Sequence, residues 1–334
     1  MSDQMKSRSL VVFMDGSGRP CRELRDVDLE PLADDRVRVG VKYSSLNYKD
    51  ALCSTGHPGV ARNLPLVPGI DAAGTVVQSN SAEVETGSEV MIFHADFGTK
   101  VNGGYAQFVD VPSQYVYSLP SGLNHRDAMI IGTAGFTAAQ SVDELVKHGV
   151  VPDSGPVVVS GATGGVGIMS VKILAKLGYT VVASTGKAER HEMLKQLGAS
   201  EVIDRAAIND SSDTPLLKGK WAGAVDTVGG NTLATILRTT KLHGCVTACG
   251  LVGGTDLAMS VYPFILRGVT LQGIDTANIE RDYRQSLWQR LAGDWKLEHL
   301  EALATEVSLE NLDESIASIL EGAIAGRVVV DVSC

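Results

Sequence analysis

The feature that most constrains the fold is a glycine-rich turn between an apolar strand and a helix. The strand Val157–Ser160 leads into Gly-Ala-Thr-Gly-Gly-Val-Gly at 161–167, and a helical pattern and a second strand, Thr180–Ser184, follow. Glycine permits positive φ and close approach of the backbone to a pyrophosphate, while the helix N-terminus offers free N–H groups. The pattern predicts a dinucleotide-binding unit; the alternative is a tight turn without a ligand. The predicted cofactor contacts in the turn are Thr163, Gly164, Gly165 and Val166.

The end of the second strand predicts which nicotinamide cofactor this unit takes. NAD-binding units usually have Asp or Glu there, whose carboxylate accepts the ribose 2′-OH. This chain instead has Ser184-Thr185-Gly186-Lys187, with Arg190 three residues on. Hydroxyls and cations bind a 2′-phosphate that a carboxylate would repel. The pattern favours NADPH, with these five residues as contacts. In the alternative interpretation, Lys187 and Arg190 are ordinary solvated helix charges.

Three further residues are predicted to border the cofactor. Arg205 follows the strand Glu201–Asp204, where it could stack on the adenosine or form a surface salt bridge. Gly250 and Leu251 follow the strand Cys245–Cys249. Because ligands of parallel sheets bind at the carboxyl ends of the strands, Gly250 and Leu251 should face the nicotinamide.

The chain divides into two regions of different pattern. Up to about Asn124, short Val-rich strands alternate with Gly, Pro, Asn and Asp, which indicates a partly open β-barrel. Beyond it, apolar strands alternate with helices, which indicates a parallel sheet covered on both faces. The last strand, Arg327–Val332, is expected to return to the β-rich domain. The predicted domains are therefore residues 1–126 with 294–334, and residues 127–293.

Composition excludes several classes of function. The 334 residues are 44% hydrophobic and 20% charged, as in a globular protein. The net charge of −10 argues against a nucleic-acid surface. The five Cys include no CxxC pair, so neither a disulfide framework nor a four-Cys zinc knot is predicted. No apolar run approaches the roughly 18 residues of a membrane span. We expect a cytoplasmic protein without membrane or nucleic-acid partners.

Short motifs over nearly the whole chain resemble the medium-chain dehydrogenase/reductase superfamily. In chain order they are Ser45-Leu-Asn47-Tyr48-Lys-Asp50, Pro68-Gly-Ile-Asp71-Ala-Ala-Gly74, Gly103-Gly-Tyr105-Ala, Ala162-Thr-Gly164-Gly165-Val-Gly167, Leu197-Gly-Ala199, Asp226-Thr-Val-Gly229-Gly230 and Gly326-Arg327-Val-Val. The resemblance implies an α/β protein with a GroES-like catalytic domain, a partly open barrel, and an inserted Rossmann domain with a doubly wound parallel sheet. It also implies a homodimer, with the segment Val269–Gly273 at the sheet edge.

The chain departs from the zinc enzymes of that superfamily at the expected ligand positions. Where those enzymes have Cys and a His-Glu pair, this chain has Asn47 and Ile70-Asp71, and Met91–Val111 contains no Cys. Asn and Ile cannot supply the ligands of a catalytic zinc, so no metal is predicted. Without a Lewis acid, reduction of a conjugated C=C bond is the natural chemistry.

Two further segments resemble the acrylyl-CoA reductase branch of the zinc-free, quinone oxidoreductase-like group. They are Arg62-Asn-Leu-Pro-Leu-Val-Pro-Gly-Ile-Asp71 and Pro263-Phe-Ile-Leu-Arg267-Gly-Val-Thr-Leu-Gln-Gly-Ile-Asp275. The run Asn47-Tyr-Lys-Asp-Ala-Leu shows the same resemblance. The resemblance implies NADPH-dependent reduction of acrylyl-CoA to propionyl-CoA, by hydride transfer to the β-carbon. A quinone or alkenal reductase shares nearly all these features, and a non-catalytic NADPH-binding protein is a third interpretation.

Four residues are candidates for chemistry or substrate binding. Asn47 and Tyr48 occupy the former metal-ligand position; Asn47 could donate its amide to the substrate carbonyl. Tyr48 could donate a proton, although we favour a role in holding the nicotinamide ribose, because an unperturbed phenol is a weak acid. Both could instead serve only in packing. Arg62 and Arg267 are candidates for the CoA phosphates, with domain-interface ion pairs as the alternative. The sequence does not identify the proton donor.

Overall fold

The computed structural model describes residues 5–333. Its strands are β1 (Lys6–Met14), β2 (Pro20–Asp28), β3 (Arg36–Leu46), β4 (Asp71–Ser79), β5 (Glu89–Phe93), β6 (Phe108–Pro112), β7 (Val116–Ser118), β8 (Val157–Val159), β9 (Val181–Thr185), β10 (Glu201–Asp204), β11 (Trp221–Asp226), β12 (Thr240–Ala248), β13 (Thr270–Gly273), β14 (Ala304–Ser308) and β15 (Arg327–Asp331). Its α-helices are α1 (Tyr48–Ser54), α2 (His125–Lys147), α3 (Gly165–Lys176), α4 (His191–Gln196), α5 (Gly230–Thr239), α6 (Tyr262–Arg267), α7 (Arg281–Ala292) and α8 (Leu312–Leu320).

The chain forms two units. The first contains the chain up to Thr133, a short piece at Glu280–Gln285 and the chain from His299 onward; the second contains Ala134–Ile279 and Ser286–Glu298. The sequence analysis placed the boundaries at 126/127 and 293/294. The chain instead passes from the first unit to the second inside α2. This helix is interrupted at Gly132 (φ 50, ψ −161), in a conformation that only glycine adopts readily.

The first unit is a curved β-structure. Its larger sheet runs β14-β15-β3-β4-β5-β7, with β6 also paired to β3, and β1 and β2 form a hairpin. Alternating side chains build the core: β6 buries Val109 and Val111 while Asp110 between them stays partly exposed. The last strand, β15, lies antiparallel to β3, as the sequence predicted.

The second unit is a parallel sheet in the order β10-β9-β8-β11-β12-β13. Chain order proceeds outward from the centre on both sides, so the topological switch point lies between β8 and β11. Val157, Val158 and Val159 of β8 are fully buried, which explains why that strand reads as a continuous apolar run. The predicted fold class, a GroES-like barrel with a Rossmann sheet, is confirmed.

Candidate active site

The glycine-rich turn lies at the switch point, directly after β8. Gly161 has φ 55, and a Cβ on Gly167 would lie 2.3 Å from the Gly161 carbonyl oxygen. Glycine at 167 therefore lets α3 begin close against the strand. Gly164 precedes α3, and no side chain caps this helix. A helix start without a side-chain cap offers its N–H groups and its dipole to an anion, which fits the predicted pyrophosphate site.

A second polar cluster lies at the carboxyl end of β9. The Ser184 hydroxyl oxygen is buried and has no hydrogen-bond partner among the described residues. The Thr185 hydroxyl lies 3.3 Å from that of Thr163 and accepts a bond from the Lys187 N–H (3.1 Å). Burial, together with the positive charge of Arg190, lowers the pKa of Lys187. A buried hydroxyl without a partner, at a strand end that Lys187 and Arg190 follow in the chain, fits a phosphate group better than a ribose diol.

Gly186 allows the next cation to approach the same strand end. A Cβ on Gly186 would lie 2.9 Å from Cδ and 3.0 Å from Nε of Arg205. The Arg205 side chain therefore lies across this glycine, beside the predicted 2′-phosphate contacts. The structure thus brings together Thr163, Thr185, Gly186, Lys187 and Arg205, as their predicted common role requires; that role itself stays a prediction.

A cavity of about 470 Å³ lies at the carboxyl ends of β12 and β13. Its lining residues are Ala248, Cys249, Gly250, Leu251, Gly273, Ile274 and Asp275. Cys249 donates its thiol to the Asp226 carbonyl oxygen (3.4 Å). Burial and the charge of Asp226 raise the pKa of this thiol to about 12, so it remains neutral. Gly250 and Leu251 thus face a cavity, as expected for residues predicted to border the nicotinamide.

In the first unit, Asp50 is at the centre of a buried polar cluster. One carboxylate oxygen accepts the N–H groups of Gly69 (3.2 Å) and Ile70 (2.8 Å). The other accepts the main-chain N–H of Asn47 (2.9 Å) and its amide (3.1 Å), which fixes the start of α1. Burial, and then the charge of Asp71, raise the pKa of Asp50 to about 7.

Asp71 and Arg327 complete this cluster. Asp71 accepts hydrogen bonds from the Ser45 hydroxyl (2.6 Å), the Asn47 amide (2.9 Å) and the Thr133 N–H (2.8 Å). Arg327 is buried and donates to the Ile130 carbonyl (2.9 Å) and the Asn47 amide oxygen (3.3 Å). Burial lowers the pKa of Arg327, and the charges of Asp71 and Asp50 oppose that shift. The cluster therefore holds two carboxyl groups and one guanidinium out of solvent.

This cluster corrects one prediction and leaves another untested. Asn47 is buried, and its amide N–H groups point at Asp50, Asp71 and the Ser45 hydroxyl. The structure therefore contradicts the predicted donation of that amide to a substrate carbonyl, because its two hydrogens are already engaged. Tyr48, the next residue and the first of α1, is 42% exposed. Its hydroxyl has no partner among the described residues, so a role toward a ligand remains open to it.

Sequence reasoning missed the importance of Asp50, Asp71 and Arg327. From the sequence, Asp50 is predicted to cap a helix, which the structure confirms at the start of α1, whereas Arg327 has no predicted role. All three lie within the superfamily motifs, so the sequence does mark these positions. It does not show that the three side chains are buried against each other.

The two arginines predicted to bind CoA phosphates differ. Arg62 is exposed, and its guanidinium has no partner among the described residues; its role stays a prediction. Arg267 donates to the carbonyls of Arg238 (3.0 Å) and Thr240 (2.9 Å), and also to that of Leu217. Thr240 begins β12, so Arg267 lies at the amino end of the parallel sheet, opposite the glycine-rich turn. The structure thus contradicts a substrate-binding Arg267.

Neither a metal cluster nor a membrane-crossing helix is found within residues 5–333. No three His, Cys, Asp or Glu side chains there lie together as metal ligands would. No helix there has the length and apolar character that crossing a bilayer requires.

Known proteins share this architecture. A GroES-like barrel joined to a Rossmann sheet with a glycine-rich turn defines a class of nicotinamide-dependent dehydrogenases and reductases. Residues 33–121 match the alcohol dehydrogenase GroES-like domain model and residues 165–293 the zinc-binding dehydrogenase model. The chain belongs to the medium-chain dehydrogenase/reductase superfamily, in the acrylyl-CoA reductase branch of its quinone oxidoreductase-like group.

Three relatives illustrate this membership. Acrylyl-CoA reductase AcuI of Ruegeria pomeroyi is 43% identical over 97% of this chain and 99% of its own length. Bacillus subtilis YhfP, named as a quinone oxidoreductase, is 44% identical over 92% of this chain and 93% of its own; its structure with NAD bound superposes with a TM-score of 0.95. The structure of Escherichia coli YhdH with NADPH has a TM-score of 0.93 and 43% identity, covering 98% of this chain and all of that one.

Proposed function

We propose that this protein reduces the C=C bond of acrylyl-CoA to propionyl-CoA with NADPH. The observation that carries the cofactor choice is the end of β9, where Lys187, Arg190 and Ser184 occupy the position of the acid of NAD-binding units. The Ser184 hydroxyl is buried there and has no hydrogen-bond partner among the described residues. The similarity to AcuI supports the substrate, and the NADPH of the YhdH structure supports the cofactor.

The chain's own residues then have distinct tasks. Bound NADPH supplies the hydride that reduces the β-carbon. Thr163, Gly164, Gly165 and Val166 would hold its pyrophosphate at the start of α3, and Ser184, Thr185, Gly186, Lys187, Arg190 and Arg205 its adenosine 2′-phosphate end. A proton, from solvent or from a side chain, must add to the α-carbon to give the saturated thioester.

The buried cluster of the first unit acts on Tyr48 through the helix start. Asn47, held by Asp50 and Asp71, precedes Tyr48 directly. The exposed phenol is thereby attached to a rigid point of the barrel, as a group that contacts cofactor or substrate requires. Arg62, an exposed cation without a partner among the described residues, is the remaining candidate for CoA phosphate binding.

Cofactor oxidation with purified protein tests the proposal. NADPH absorbance is followed with acrylyl-CoA, with NADH, crotonyl-CoA and a simple quinone in parallel. We expect rapid oxidation of NADPH with acrylyl-CoA, and an increase in the KM for acrylyl-CoA of about tenfold in Arg62→Ala, from loss of a charge-assisted contact. Lys6→Ala, which removes an exposed cation elsewhere in the same unit, is the control. Turnover of the quinone without turnover of acrylyl-CoA would overturn the substrate assignment.

That second outcome corresponds to the alternative function, a quinone or alkenal reductase. The similarity to YhfP, named as a quinone oxidoreductase, favours it. It would use the same cofactor site and would not need Arg62.

We also propose a homodimer formed along β13. This strand is the edge of the parallel sheet and is flanked by exposed apolar side chains, Ile265 (66%) and Leu266 (58%). An unpaired edge beside apolar side chains is a site for strand pairing. Ile265→Arg should convert a dimer to a monomer in light scattering, whereas Val151→Arg, at an exposed position before β8, should not. A wild-type monomer would contradict this proposal. A cytoplasmic location stays a prediction.

A further inference from the structure

The proposed chemistry leaves one fully buried carboxyl group in the second unit without a task. Asp226 ends β11, the strand between β8 and β12, and has no exposed surface. One of its carboxylate oxygens accepts the Ser160 hydroxyl (2.7 Å), and the other accepts the Gly229 N–H (2.8 Å). Burial raises the pKa of Asp226, while these donors favour the ionised form. Such a buried charge persists only where its environment holds it firmly.

Ser160 transmits this contact to the glycine-rich turn. Its hydroxyl also accepts the Thr227 N–H (2.9 Å), and the Thr227 hydroxyl donates to the Ser160 carbonyl (2.8 Å). Ser160 directly precedes Gly161, the first residue of the turn. A Cβ on Gly161 would lie 2.4 Å from the Thr227 hydroxyl oxygen, so Thr227 packs against the turn itself. Three hydrogen bonds thus join the end of β11 to the entrance of the turn.

The main chain of Asp226 contacts the other end of the candidate cofactor site. Its carbonyl accepts the N–H (3.0 Å) and the thiol (3.4 Å) of Cys249. Cys249 lines the cavity at the ends of β12 and β13. One buried residue therefore supports both the turn and the cavity wall.

We propose that Asp226 is a positioning residue for the cofactor: its carboxylate, through Ser160, holds the turn at 161–167 in the shape that binds a pyrophosphate. The inference rests on the proposed function, in which this turn binds NADPH. Because the turn contacts the cofactor before and during reaction alike, loss of Asp226 should weaken binding without slowing the chemical step.

Two variants test it, with calorimetry as the readout. In Asp226→Asn, an amide N–H group would face either the Ser160 hydroxyl or the Gly229 N–H, both of which donate to Asp226 in the wild type. Ser160→Ala removes the connecting hydroxyl and leaves Asp226 in place. Each should raise the Kd of NADPH about tenfold, with kcat at saturating NADPH within about twofold of wild type. The Kd of 2′-phospho-ADP-ribose, which keeps the pyrophosphate and lacks the nicotinamide, should rise by the same factor.

Thr247→Val is the matched control. Thr247 is buried in β12 and its hydroxyl donates to the Ala224 carbonyl of β11 (3.1 Å), with no contact to the turn. It should leave both Kd values within about twofold.

Three results would overturn the inference. A folded Ser160→Ala protein with an unchanged Kd would do so even if Asp226→Asn failed to fold. An equal loss of affinity in Thr247→Val would show a general structural effect. A wild-type protein that binds neither NADPH nor 2′-phospho-ADP-ribose would overturn the proposed function, and this inference with it. If the wild type binds both and the two variants bind them equally well, only the inference is overturned.

Discussion

At the scale of single residues, Asp50 is subject to two opposing influences. Burial and the charge of Asp71 raise its pKa to about 7, whereas four N–H donors favour the carboxylate. A carboxyl group whose pKa is higher in the folded state holds its proton more tightly when folded. Its contribution to the free energy of unfolding is therefore present at low pH and falls as the pH rises from 3.8 toward about 7.

Comparison with Asp50→Asn isolates this contribution, because the variant cannot titrate at this position. Urea unfolding across that pH range should show the stability advantage of the wild type over the variant shrinking as the pH rises. An advantage that grows with pH would instead show that the four donors dominate and keep the folded pKa below that of the unfolded chain.

We propose that Lys187 and Arg190 determine the cofactor preference. Because they would contact only the 2′-phosphate, the double variant Lys187→Ala/Arg190→Ala should raise the KM for NADPH about tenfold or more and leave that for NADH nearly unchanged. Lys195→Ala, which removes an exposed lysine paired with Glu192 in α4, is the control. An equal rise in both KM values would contradict a role in selectivity.

At the scale of elements, the close packing of α3 against the glycine-rich turn requires that position 167 carry no side chain. In Gly167→Ala, the new Cβ would lie 2.3 Å from the Gly161 carbonyl oxygen and 2.7 Å from Cα of Ala162, so α3 must move away from β8. We expect a loss of NADPH affinity of about tenfold or more, measured by fluorescence titration. Gly219→Ala, whose Cβ would make ordinary contacts at 3.5 Å, should bind as the wild type does. Equal affinities for the two variants would contradict the close packing of the turn.

The same elements show what the sequence could predict. β8 and β9 were predicted nearly to their observed ends, and α3 was predicted to follow the glycine-rich turn, because apolar runs, helical spacing and glycines all favour the same assignment. The run Gly-Gly-Tyr-Ala-Gln-Phe-Val-Asp-Val at 103–111 predicts a strand over its whole length, but the observed strand is Phe108–Pro112. A Cβ on Gly103 would lie 2.3 Å from the Gly69 carbonyl oxygen, so Gly103 belongs to a tight backbone crossing that no strand pattern indicates. β2 was not predicted, because its many charged side chains conceal a strand that pairs only with β1.

At the scale of the whole molecule, the two candidate sites differed in how far sequence could predict them. The predicted cofactor residues follow successive strands of one sheet, so local motifs were enough to predict that they lie at the same edge; their binding role stays a prediction. The buried cluster instead joins Asn47 to Arg327, 280 positions apart, across β3 and β15. No local pattern indicates that pairing, and so Asn47 was assigned to the substrate when its amide is bound by two aspartates.

Transfer of deuterium from labelled NADPH tests the proposed reduction of acrylyl-CoA. The protein is given acrylyl-CoA and NADPH labelled with deuterium at the transferable position, and the product is examined by mass spectrometry and NMR. We expect propionyl-CoA with one deuterium on its terminal carbon, the former β-carbon, and none from the cofactor on the α-carbon. Deuterium at the α-carbon, or oxidation of NADPH with no propionyl-CoA formed, would contradict it.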